Sequence, residues 1–213
     1  MNRFVCLVLA TLMMLLSVGT ASPAAEPPPT KPLRVLCTVF PIWQFARNVA
    51  QGIDGVQLEL MLPPNLGCPH DYALAPQDMH KLAAADVLIA NGLGLEEFLG
   101  EPVRRASAKL ILIDAAKGAA PQPGAGDAIA PPVPDKHQDH HAGPNPHLFA
   151  SPRRAALQVR AIAAGLAAAD PAHAARYREN GEAYAAKLEA LAARLAAAVK
   201  ELPNRRVVTM HEA

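Results

Sequence analysis

The chain has 213 residues, 51% of them hydrophobic, and its 20 Lys and Arg stand against 19 Asp and Glu for a formal net charge of +1. A near-neutral chain with no basic stripe argues against nucleic acid as a partner. The length suffices for one sizeable domain or two small ones.

The opening MNRFVCLVLATLMMLLSVGTASPAAE has one basic residue, Arg3, an apolar run from Phe4 to Val18, and small residues between Ala21 and Ala25. This pattern reads as a secretory signal peptide over 1–25. The apolar run is short for an uncleaved anchor. Cys6 comes too early, with the apolar run still ahead of it, to be a lipid-attachment site, so a soluble exported protein is expected. Residues 26–32 are a Pro-rich tether with nothing to bury.

LRVLCTVF (33–40) then reads as a buried strand, PIWQFARNVAQG as a helix that starts at a proline and closes at Gly52, and GVQLELMLP (55–63) as a second strand. The rhythm repeats. PQDMHKLAAA is helical, DVLIANG a strand, LEEFLGEPVRRAS a helix and KLILID a strand. Four short apolar strands separated by helices predict an α/β lobe over 33–169 with a four-stranded parallel sheet and right-handed crossovers.

From Ala115 to Asn145 the pattern lapses into Pro, Gly, Ala, Asp and His, which predicts a mobile functional loop at 118–144. SPRRAALQVRAIAAGLAAAD is helical again. A long helix follows over 170–203, with Asp170 as N-cap and Pro171 at its first position. The spacing of Tyr184, Leu188, Leu191, Leu195, Val199 and Leu202 predicts one face buried along its length. At 1.5 Å per residue this helix runs about 50 Å, longer than a small lobe is wide, so it is read as a spine joining two bodies. NRRVVTM begins a new strand, and 204–213 is expected to be the start of a second α/β lobe, truncated after its first strand.

His70 follows the second strand, where open parallel sheets form ligand sites at the carboxyl ends of strands. His147 closes the long loop in NPHLF, and His211 ends the last predicted strand. These three, far apart in sequence, can converge on one ion. Neutral imidazole binds Zn²⁺ at about 2.0 to 2.1 Å, and a closed site takes four ligands. The fourth, a carboxylate, is expected from the second body.

The segments LPPNLGCPHDYALAPQD, ADVLIANGLGLEEF, NPHLFASP and VVTMHEA, in this order, resemble the metal-binding solute-binding proteins of zinc and manganese ABC uptake transporters. The resemblance runs from about Leu33 to the last residue, the loop excepted. It implies two α/β lobes bridged by a rigid helix, with metal held in the cleft by His70, His147, His211 and a carboxylate beyond residue 213. It further implies zinc, with manganese as the alternative, delivery to an ABC membrane permease from the periplasm or another exported location, and a monomer when full length. No enzymatic activity is implied, and an adhesion role attached to some relatives has no separate feature here.

This sequence departs from the family pattern in several places. Cys68 stands where Asp usually precedes Pro-His, YALAP replaces YEP, and Asn145, Phe149 and Ser151 replace the common Asp, Trp and Asp. None of these changes removes a ligand. A Cys68 thiolate near the metal would favour zinc over manganese. The preferred use of Cys68 is a disulfide to Cys37, since both are expected near one end of the sheet and export permits oxidation; two buried thiols are the other reading. His137, His140 and His141 resemble the histidine-bearing insert of zinc members and are weak loop ligands or simply solvated. His80 and His173, on exposed-looking helical positions, receive no role. A secreted zinc metallohydrolase is the rival function, but no H-E-x-x-H pairing appears.

Overall fold

Strands β1 (Leu33–Cys37), β2 (Val56–Leu60), β3 (Val87–Ala90) and β4 (Ile111–Asp114) form one parallel sheet in the order β2-β1-β3-β4. They are seen in a computed structural model that describes residues 31–65, 69, 72–100, 109–119 and 145–204. The two central strands are apolar runs buried on both faces: Val35, Leu36 and Cys37 in β1, and Val87, Leu88 and Ile89 in β3. At the edges, β2 turns Gln57 and Glu59 outward, and β4 leaves Ile111 and Leu112 exposed. Register sets Cys37 between Leu60 and Ile89.

Helices α1 (Phe40–Val49), α2 (Pro76–Ala84) and α3 (Pro152–Ala169) each carry a proline in the first turn, where its missing N–H costs nothing. The chain leaves β1 for β2 and then returns across β1 to β3. Two right-handed crossovers in opposite directions put α1 and α2 on opposite faces. α3 packs beside α1 and against β4, and α4 (Ala174–Lys200) lies across α3 and α1. The approach of α4 to α3 is close enough that a Cβ on Gly181 would stand 2.5 Å from the Ala163 Cβ. Arg160 ties the same pair through Glu182 and Glu189, and the Asn180 amide donates to the Val49 and Gln51 carbonyls at the end of α1.

Several expectations need correction. The apolar face of α4 is buried only in its first half: Tyr177, Gly181 and Ala185 are covered and Leu188 partly so, but Leu191, Leu195, Val199 and Leu202 are exposed. Periodicity reports which side chains share a face, not whether anything covers it. The predicted start at Pro171 is a 3₁₀ turn, Pro171–His173, and the α-helix begins at Ala174. Asp170 does not cap it. Its Oδ2 accepts from the Tyr177 hydroxyl at 3.0 Å and lies 2.7 Å from His173 Nδ1.

The body also extends further into the expected loop than composition suggests, because Ala115, Ala116 and Ala119 are buried. Of the helix expected over LEEFLGEPVRRAS, the described part is a 3₁₀ turn, Glu97–Leu99. The leader over 1–25 and the strand expected from 205 onward lie outside the described residues. Among those described, no helix is long and apolar enough to cross a membrane.

Candidate metal centre

Connections leave β1 and β3 toward opposite edges, so the sheet's switch point is the crevice between their carboxyl ends, where ligands of open α/β sheets bind. Glu96 fills the base of that crevice. One carboxylate oxygen accepts from the Thr38 hydroxyl at 2.6 Å and the Asn91 backbone N–H at 2.7 Å, and the other accepts from the Gly92 backbone N–H at 3.1 Å. Burial raises the pKa of Glu96 above the ordinary carboxylate value, with a contribution from Asp114, against the three hydrogen bonds that favour its charge. The loop that delivers Glu96 is left-handed at three successive residues: Gly92 (φ 86°), Leu93 (φ 55°) and Gly94 (φ 81°). A Cβ on Gly92 would collide with the Asp114 carboxylate, and Leu93 tolerates its strained φ while packed against Ala116, Ala119 and Leu148.

Asn91, fully buried, joins this base to the segment carrying His147. Its Nδ2 donates to the Pro146 carbonyl at 2.9 Å, and its Oδ1 accepts from Gln158 Nε2 of α3 at 3.1 Å. Pro146 thereby fixes the backbone just before His147. Leu148, buried, fixes it just after and opens a 3₁₀ turn, Leu148–Ala150. The half-buried His147 ring meets Phe149 edge-on at 5.8 Å between centroids. Its Nδ1 and its backbone N–H both lie 2.9 Å from Asn145 Oδ1.

The sequence-predicted residues divide between described and undescribed positions. His147 stands at the switch point, held as above. His70, His211, Cys68, His137, His140 and His141 lie outside the described residues. The flanks of the His70 segment are anchored at the same end of the sheet: the Leu62 N–H donates to the Thr38 carbonyl at 3.1 Å, and Tyr72 packs edge-on to Phe98. Among the described residues no three His, Cys, Asp or Glu side chains gather as a metal site. His80 and His173 are exposed, as expected.

Cys37 is present as a free thiol with no exposed surface, and burial pushes its pKa up. Its side chain sits within the apolar core, and Cys68, the partner expected for it in a disulfide, lies outside the described residues.

Sequence reasoning passed over Asn91, Glu96 and Gln158. A signal for Gln158 was available: it falls three residues after Ala155, four before Ile162 and eight before Leu166, a polar residue on a buried stripe that has to find a partner.

A family model, ZnuA, described as "Zinc-uptake complex component A periplasmic", matches residues 35–213. The chain belongs to the ZnuA family. Similar proteins include the iron-binding protein YfeA of Yersinia pestis, 28% identical over 201 residues that cover 92% of this chain and 59% of YfeA. The high-affinity zinc uptake system protein ZnuA of Bacillus subtilis is 24% identical, over 85% of this chain and 56% of that protein. Among solved structures, the solute-binding protein FpvC of Pseudomonas aeruginosa in complex with Ni²⁺ superposes with a TM-score of 0.62 at 28% identity, covering 82% of this chain and 57% of FpvC. The chain therefore spans under three fifths of the length of these relatives.

Proposed function

We propose that the protein captures Zn²⁺ outside the cytoplasm and passes it to an ABC-type membrane permease, with His70, His147 and His211 as its imidazole ligands. The observation that carries the reading is the fixing of His147 at the sheet's switch point by Asn91, Leu148 and Asn145. Histidines that bind metal are typically oriented by a hydrogen bond from the other ring nitrogen to a fixed acceptor, as Nδ1 of His147 is here. Membership of a family described as the periplasmic component of zinc uptake supports zinc as the cargo, as does the printed name of the Bacillus subtilis relative. YfeA is named for iron and FpvC was solved with Ni²⁺, in keeping with a nitrogen-rich site whose intrinsic order of preference does not single out one divalent ion. Export through the leader at 1–25 puts the site where such an ion is met. The histidines at 137, 140 and 141 are read as weak additional ligands of the loop.

Titration of the chain with zinc against a competing chelator at neutral pH tests this reading. His147→Ala is expected to weaken binding at least about tenfold, equivalent to about 1.4 kcal/mol. Equal affinity in the variant would contradict the assignment. A capture protein releases its ion unchanged, so a chromogenic ester screen of the zinc-loaded chain is expected to show no turnover.

A further inference from the structure

We infer that Asn145 is a positioning residue that holds His147 in the tautomer with the proton on Nδ1, so that Nε2 is the nitrogen carrying the lone pair toward a cation. The inference rests on His147 being a ligand and concerns how its ring is prepared before metal arrives.

The His147 N–H is an obligate donor, and the Asn145 side-chain atom 2.9 Å from it has to be an acceptor. That fixes which end of the Asn145 amide is the oxygen, without appeal to the ring. The same oxygen lies 2.9 Å from His147 Nδ1. A carboxamide oxygen cannot donate, so the ring nitrogen facing it carries the hydrogen, and a neutral imidazole with hydrogen on Nδ1 has its lone pair on Nε2. One atom thus sets both the turn and the tautomer.

Two further contacts limit escape from this arrangement. The Asn91 amide pins the Pro146 carbonyl between the two residues, and the Phe149 ring, at 76° to the imidazole, restricts its rotation. Asn145 does this as a neutral group, so the acceptor brings no charge of its own to the ring. The replacement of the acidic residue expected at this position keeps the acceptor and removes only its charge.

Long-range ¹H–¹⁵N correlation spectra of the metal-free full chain at neutral pH read the tautomer directly, with the His147 signals assigned by their loss in His147→Gln. The wild type is expected to show a protonated Nδ1 and a bare Nε2. Asn145→Asp, which keeps an acceptor, is expected to retain that pattern and to bind zinc within a few-fold of wild type. Asn145→Ala is expected to shift the ring toward the Nε2–H form and to weaken zinc binding roughly 10- to 100-fold, the usual effect of losing an outer-shell partner.

Persistence of the wild-type tautomer in Asn145→Ala, or a wild-type ring protonated on Nε2, would overturn the inference while leaving His147 as a ligand. Wild-type zinc affinity in His147→Gln would instead overturn the ligand reading, and the cation half of this inference with it. Circular dichroism of each variant checks that the fold is intact, so that a changed tautomer is not a symptom of unfolding.

Discussion

Around Glu96 and Asn91, polar groups are withdrawn from water and matched: three donors converge on one carboxylate, and the Asn91 amide donates to Pro146 and accepts from Gln158. Along α4 beyond Leu188 the situation is reversed, with Leu191, Leu195, Val199 and Leu202 between 36% and 51% exposed. Both are departures from a simple globular pattern, and they differ in what each leaves free to move. A buried polar network is costly to disturb, because any group stripped of its partner keeps the penalty of its burial. Exposed leucines on a helix lose little when changed. The first region is therefore built to fix geometry, and the second holds its helical form with few tertiary contacts from the described residues.

Substitution of Asn91 breaks this contrast most severely. Asn91→Ala leaves the Pro146 carbonyl and Gln158 Nε2 without their partner, and is expected to destabilise the protein by about 2 to 4 kcal/mol. Urea unfolding monitored by circular dichroism measures it, and a loss below about 0.5 kcal/mol would show that the network is not rigid. Next in size is Gly181→Val in the packed half of α4, where the new side chain meets Ala163. Overpacking of this kind is expected to cost about 1 to 3 kcal/mol by the same measurement, and a neutral effect would mean that α3 and α4 separate easily.

A pH profile sharpens the contrast without a large change in stability. Burial raises the pKa of Glu96 in the folded chain above its ordinary value of 4.5, so the folded state binds that proton more tightly than the unfolded state does. The contribution is fully favourable below the unfolded value and is lost as pH rises through the raised folded value. Glu96→Gln also loses an acceptor oxygen and lowers stability at every pH, but the part of the decline due to this group should vanish. An unchanged slope between wild type and variant would contradict the account. The smallest effect belongs to the exposed half of α4: Leu195→Lys and Val199→Lys are each expected to change stability by less than about 0.5 kcal/mol. A loss of 2 kcal/mol in either would mean that the face is covered.

The two regions were unequally legible in the sequence. The sheet and the first three helices could be read because β1 and β3 are continuous apolar runs and α1, α2 and α3 each announce their start with proline. The exposed half of α4 could not, since Leu188 and Leu195 look alike to a periodic pattern although, among the described residues, only the first packs against the core. At the site, NPH marked His147, but the polar frame beneath it was hidden: Asn91 and Glu96 follow a strand and read as ordinary loop residues. Asn145 registered only as a departure from the family pattern, although its oxygen is what holds the His147 ring.

X-ray absorption at the zinc edge of the loaded chain tests the central claim, capture of the ion by imidazole, most directly. The account predicts a first shell of nitrogen and oxygen at about 2.0 to 2.1 Å, with outer-shell scattering typical of imidazole that diminishes in His147→Ala. A sulfur shell near 2.3 Å, or imidazole scattering unchanged by that substitution, would contradict it.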